Sequence, residues 1–202
     1  MPRFTLPLAR VTLGLGVTAV LGLGAAVPAF ASGPTSVAIS GTPVSGGALT
    51  PSNFTPITLD GINAKTATAT WSIGNVTDAS GTGAGWNVSL SMTRLAQYDA
   101  TLNAGAGGYT TGGHLLATSS IQATTPATVT LVGSGSAATT VTPVAANTAL
   151  DTGNAVKLLS AALNGGMGSY SFSALTATLT VPAATYAATY RSDATVSLNS
   201  TP

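Results

Sequence analysis

The sequence predicts an all-β protein: an antiparallel β-sandwich of Ig-like or Greek-key type, with about eight to ten strands and at most one short helix. Three observations predict it. Apolar and polar residues alternate with a period of two along several short runs, most clearly in Trp86-Asn87-Val88-Ser89-Leu90-Ser91-Met92. Clusters of Gly, Pro, Asn, Asp and Ser separate those runs, as turns require. Threonine, whose branched side chain suits a pleated surface, fills the polar positions of Thr66-Ala67-Thr68-Ala69-Thr70-Trp71-Ser72-Ile73.

The chain opens with Arg3 and Arg10, an uncharged run from Val11 to Val27, and Pro28-Ala29-Phe30-Ala31 with small residues at the positions a signal peptidase reads. Residues 1–31 are therefore expected to be a secretory signal peptide, with the mature chain beginning at Ser32. The run contains four glycines and lacks a basic flank after it, so it is not read as a membrane span. Its removal leaves 171 of 202 residues, a usual size for one domain with a sizeable core. Residues 32–56, dense in Gly, Pro, Ser and Thr, read as a flexible N-terminal arm or edge strand, and residues 57–202 read as the β domain.

Within that domain, Ile57-Thr58-Leu59 ends at the Asp60-Gly61 turn pair, and Thr66–Ile73 follows as a strand that places Trp71 in the core. Val76–Gly85, with three glycines and Asp78, reads as a wide turn feeding the Trp86 strand. Trp86, Val88, Leu90 and Met92 are expected to face the core, and Asn87, Ser89 and Ser91 to be wet. Trp86 itself is expected to pack its body on the core and expose one edge beside Gly81–Gly85. A long glycine loop then carries Tyr98, Tyr109 and the single His114, followed by short strands at Leu115–Ile121 and Thr128–Val132. Ala155–Leu163 has helix-forming residues at helical spacing and fits a strand equally well. Tyr170 and Phe172 run on through Leu175, Ala177, Leu179 and Val181 as one half-buried strand, and the chain closes on a last strand from Tyr186 through Tyr190 to Leu198.

Composition excludes several functions. Without Arg3 and Arg10 the chain keeps Lys65, Arg94, Lys157 and Arg191 against Asp60, Asp78, Asp99, Asp151 and Asp193, four against five, for a net charge of −1. That supports neither a basic groove for nucleic acid nor a polybasic membrane surface. The aspartates read as turn residues rather than a paired-carboxylate site, and His114 as a surface histidine with no grouped partners. No catalytic residue, metal ligand or cofactor site is expected. Cysteine is absent, so neither disulfides nor thiolate metal sites hold the fold. The closing Leu198-Asn199-Ser200-Thr201-Pro202 has no LPxTG-type motif, apolar tail or basic stop, so retention on a cell is expected to be non-covalent.

Three segments together resemble the WxL domain, a wall-attachment module of Gram-positive surface proteins. Val76–Val88 is similar to that family's Asp-x-x-Gly, Gly-Trp-x-Leu region, with Val88 at the leucine position. Leu158-Leu159-Ser160-Ala161, then Gly165–Tyr170, is similar to its Ala, Gly-x-Gly and aromatic segment. Leu179–Pro182, then Tyr190–Leu198 and Pro202, is similar to its terminal strand, with Val196-Ser197-Leu198 where a second Trp-x-Leu usually stands. The resemblance covers the chain from about Thr58 onward; it implies an all-β fold and non-covalent attachment to peptidoglycan or another cell-wall glycan. It implies Asp78, Gly85, Trp86, Val88, Tyr190, Val196 and Leu198 as binding-motif residues. It also implies a membrane-anchored companion protein as partner, and a location outside the cell, on the wall or surface. No nucleic acid and no membrane insertion after signal removal are expected. Beside this reading stand a structural or partner-displayed surface subunit and an extracellular carbohydrate-binding module, the latter using Trp86, Tyr98 and Tyr109 as stacking platforms.

Overall fold

The computed structural model describes residues 39–99, 101 and 108–202. The expected signal peptide, residues 32–38, and Gly105 to Gly107 of the glycine loop lie outside the described residues. Fifteen strands are present among them, all paired antiparallel, and ten span four residues or more. No α-helix occurs among the described residues, and none is long and apolar enough to cross a membrane.

The strands are β1 (Thr42–Gly46), β2 (Leu49–Thr50), β3 (Lys65–Ile73), β4 (Val76–Ala79), β5 (Trp86–Met92), β6 (Ala96–Gln97), β7 (Ile121–Thr125) and β8 (Val129–Val132). After a 3₁₀ turn at Ala138–Thr140 come β9 (Val141–Pro143), β10 (Thr148–Ala149), β11 (Ala155–Ala161), β12 (Gly168–Phe172), β13 (Leu175–Val181), β14 (Tyr190–Arg191) and β15 (Ala194–Asn199). They form sheets of order β1-β4-β12-β8, β10-β7-β13-β3-β2 and β15-β5-β11-β9, plus the ribbon β14-β6. The segment before residue 57 thus supplies two edge strands, β1 and β2.

Alternation sets the core. In β3, Ala67, Ala69, Trp71 and Ile73 are buried while the threonines between them are exposed, and β13 answers with buried Leu175, Ala177, Leu179 and Val181. Leu175 stands opposite Trp71, and alanines fill the next two positions of β3 on the same face, leaving room for the indole. Phe54 meets that indole edge-on, with ring centroids 6.3 Å apart. Trp71 is core, as expected from the pattern.

Other expectations are corrected. The polar face of β5 is not wet: Asn87 and Ser89 are buried along with Trp86, Val88 and Leu90. The reason is position, since β5 lies between β15 and β11 and the C-terminal residues fold back over it; the Asn87 amide donates to the Thr201 carbonyl at 2.7 Å. Ala155–Ala161, which the sequence left open between helix and strand, is a strand, and its register against β5 skips one residue between Lys157 and Leu159. That bulge buries Leu158 and Leu159 together, which is what mimics a helical pattern. Leu115–Ser120 is irregular, with Ser119 at φ 66°, and the strand begins only at Ile121. The single strand expected from Tyr170 to Val181 is two, β12 and β13, in different sheets. The last run is likewise broken: residues 183–189 form no strand, and β14 and β15 pair with different strands, β6 and β5. Two aspartates are buried: Asp78, which still caps its own turn through Ser80, and Asp151, whose carboxylate accepts the distant Ser120 and Ile121 amides at 3.0 and 3.2 Å.

Candidate functional site

The three WxL-like segments meet on β5. The Val88 and Leu90 positions of β5 stand opposite Leu198 and Val196 of β15, so the two Trp-x-Leu-like stretches are antiparallel neighbours in one sheet. Across the other edge of β5, Trp86 stands opposite Ala161 and Val88 opposite Leu159. The indole of Trp86 donates to the Gly166 carbonyl at 2.9 Å and lies 6.1 Å from the Tyr170 ring, whose hydroxyl donates to Ser136 and Met167 carbonyls. Two glycines permit this approach. Gly85 sits at φ +77°, where an added Cβ would be 2.5 Å from the Ala161 carbonyl oxygen, and Gly166 sits at φ +72°, where it would be 2.6 Å from the indole nitrogen.

Trp86 has no exposed surface, so the edge expected beside Gly81–Gly85 is not there. Its polar partner is internal. Val88 is equally buried, and Asp78 is spent locally, its Oδ1 accepting the amide and hydroxyl of Ser80. Val196 and Leu198 are half-buried on an edge strand, and Tyr190 is half-buried on β14 with its hydroxyl donating to the Tyr186 carbonyl. Burial pushes the Tyr190 phenol up.

Tyr98 and Tyr109 do come together, edge to face at 5.6 Å, but neither is an open platform. The Arg191 guanidinium lies 5.0 Å from the Tyr98 ring centroid and donates to its hydroxyl at 3.1 Å, which pushes the guanidinium pKa further up. The Tyr109 phenol is pushed up to about 12, first by burial and then by the Asp193 carboxylate. Asp60 is held well below the usual carboxylate range by the Asn63 amide, the Lys65 ammonium at 2.6 Å and the Ile62 amide, and it serves the turn before β3. His114 is exposed and stacks on Tyr186, the ring centroids 3.6 Å apart and the planes 12° from parallel.

Among the described residues, an open cleft of ≈1090 Å³ stands beside this frame. One wall is the strap Pro51–Leu59, anchored at Ser52, which accepts the Thr70 amide on its hydroxyl and the Trp71 indole on its carbonyl. The opposite wall is Thr185–Ser192, and the floor includes Trp71, Met92, Leu95 and Leu179. Tyr186 and Tyr190 form a ridge between this cleft and a shallower hollow of ≈250 Å³ beside His114 and Pro182.

The family model for the WxL domain, described as a surface cell wall-binding domain, matches residues 52–202, well over half of the chain. The chain belongs to the WxL family. The match begins inside the strap, so in this WxL domain the strap and both cleft walls are part of the family unit. No curated protein and no solved structure matches the chain. Membership makes this a cell wall-binding surface protein at the level of its family. Of the motif residues of this WxL domain, Asp78, Gly85, Trp86 and Val88 build the frame, Val196 and Leu198 pair with it, and Tyr190 alone lines the cleft. Sequence reasoning missed the strap and the Tyr186–His114 stack. Neither carries a periodic signal, and Tyr186 read instead as the start of the closing strand.

Proposed function

We propose that the protein is secreted, non-catalytic, and attached non-covalently to the peptidoglycan of a Gram-positive wall. The observation that carries this reading is the family match over residues 52–202, which takes in every strand of the described fold except the edge strands β1 and β2. The non-catalytic part is supported by how the titratable groups are used. Asp151 and Asp78 are consumed by backbone and local bonds and Arg191 by Tyr98, while the ring of His114 stacks on Tyr186. General acid-base work needs such groups to converge on one reacting atom, and these lie on separate elements. A membrane-anchored companion belongs to the same proposal; β15 stands at the end of its sheet, the position at which strand addition would seat it.

The test is fractionation of native cells followed by release with salt, detergent or muramidase. Release by muramidase, with modest salt dependence because so few charges contribute, is the expected result. Recovery of all the protein in the medium, together with failure to bind purified walls at any salt, would overturn the reading.

A further inference from the structure

We propose that the Tyr186 ring, backed by His114, is a stacking platform for an uncharged N-acetylhexosamine chain that runs along the cleft and over the Tyr186–Tyr190 ridge. This deepens the wall-attachment reading and rests on it. Tyr186 is 65% exposed, which core packing does not explain. Its ring has one face packed, with His114 parallel to it at 3.6 Å, and its main chain is tied down by the Tyr190 hydroxyl, which donates to the Tyr186 carbonyl at 3.0 Å. A platform oriented before the ligand arrives loses little freedom on binding, and that is how rigid aromatics gain affinity.

The chemistry of the cleft selects the occupant. Sugar rings present C–H faces to an aromatic π-surface and hydroxyls at their edges, so they need an apolar floor with polar but neutral walls. The floor of Trp71, Met92 and Leu179 supplies the first, and Ser52, Asn53 and Thr189 on the walls supply the second. Arg191 is the one cation among the lining residues, and Tyr98 already covers it. A polyanion such as nucleic acid or a phosphate polymer finds no matching charge there. The volume, ≈1090 Å³, is at the upper end for small-ligand sites and suits several linked rings rather than one.

The exported protein is assayed two ways: retention on purified sacculi stripped of anionic polymers, and titration with soluble N-acetylglucosamine oligomers followed by the ring resonances of Tyr186 and His114. Tyr186→Ala should weaken both about tenfold, equivalent to about 1.4 kcal/mol, with unchanged melting temperature. Tyr186→Phe should bind like the parent, and His114→Ala should fall between them, because it removes the backing and not the platform. Soluble oligomers should compete with sacculi. Unchanged retention by a folded Tyr186→Ala, or retention that oligomers do not compete, overturns the platform while leaving wall attachment intact. Absence of retention for the parent overturns the wall reading, and in that case the oligomer titration still decides the platform directly.

Discussion

Trp86→Phe separates a structural tryptophan from a contact tryptophan. The parent indole is fully buried, donates to the Gly166 carbonyl at 2.9 Å and packs against Tyr170. Phenylalanine keeps most of the ring but leaves that carbonyl without its indole partner inside the core, costing about 1 to 3 kcal/mol. The missing ring atoms cost about 1 to 2 kcal/mol more in lost burial. Together that is about 2 to 5 kcal/mol, and for a domain of this size each kcal/mol lowers the melting temperature by about 2 to 4 °C. Chemical denaturation and thermal melting should both register a loss of that order. Retention on walls, measured well below the new melting temperature, should match the parent per folded molecule. A stability change under about 1 kcal/mol would refute the burial argument. Lost retention in a fully folded variant would refute the assignment of Trp86 to the frame.

Three further changes probe neighbouring features. Asn87→Ala removes bonds to Thr201, Ser89 and Asn199 at a buried position, and should cost about 1 to 3 kcal/mol while speeding amide exchange in β15 and the residues after it. Gly166→Ala forces a left-handed backbone and drives a methyl into the Ala161 methyl and the Trp86 indole, so it should destabilise by more than about 2 kcal/mol in denaturant titration. The Tyr109 phenol has a folded pKa of about 12, above the unfolded value of about 10, so its neutral form is favoured by folding. Its contribution is present below pH 10 and lost as pH rises toward 12; melting curves across that range should fall less steeply for Tyr109→Phe.

The fold class was legible because alternation is a local consequence of the pleat. In β3 and β13 each residue's side is fixed by parity, and parity can be read without knowing the partner strand. What sequence could not supply was layering. Asn87 and Ser89 read as wet because their cover, the chain's own C-terminus, lies more than a hundred residues away. The split between β12 and β13 did leave a mark. Tyr170 and Phe172 are even-numbered while Leu175 to Val181 are odd-numbered, and the change of phase at Ser173-Ala174 is where the chain leaves one sheet for another. At Leu158-Leu159 a bulge broke the parity instead, and helix and strand stayed indistinguishable until the register was known. Of the candidate site residues, the motif could be found by its spacing. The Tyr186 platform could not, because a ring stack between residues 114 and 186 has no periodicity to announce it.

The burial of Trp86 changes what the motif means physically. Its indole, the Gly166 carbonyl and the two left-handed glycines form one arrangement that fixes how β5 meets the loop before β12. Such an arrangement tolerates few residue types, so a family signature gathers there whether or not ligand touches it. The second motif stretch obeys a different constraint. Val196 faces the same side as Leu90, on an edge strand beside the cleft wall that Ala194 joins, and is only half-buried. An aromatic at that position would border the cleft, whereas valine leaves the aromatic surface to Tyr186 and Tyr190 a few residues upstream. On the proposed platform, frame and contact are carried by different residues: the first motif is packed into the core around β5, and the second lies on an edge strand next to the cleft.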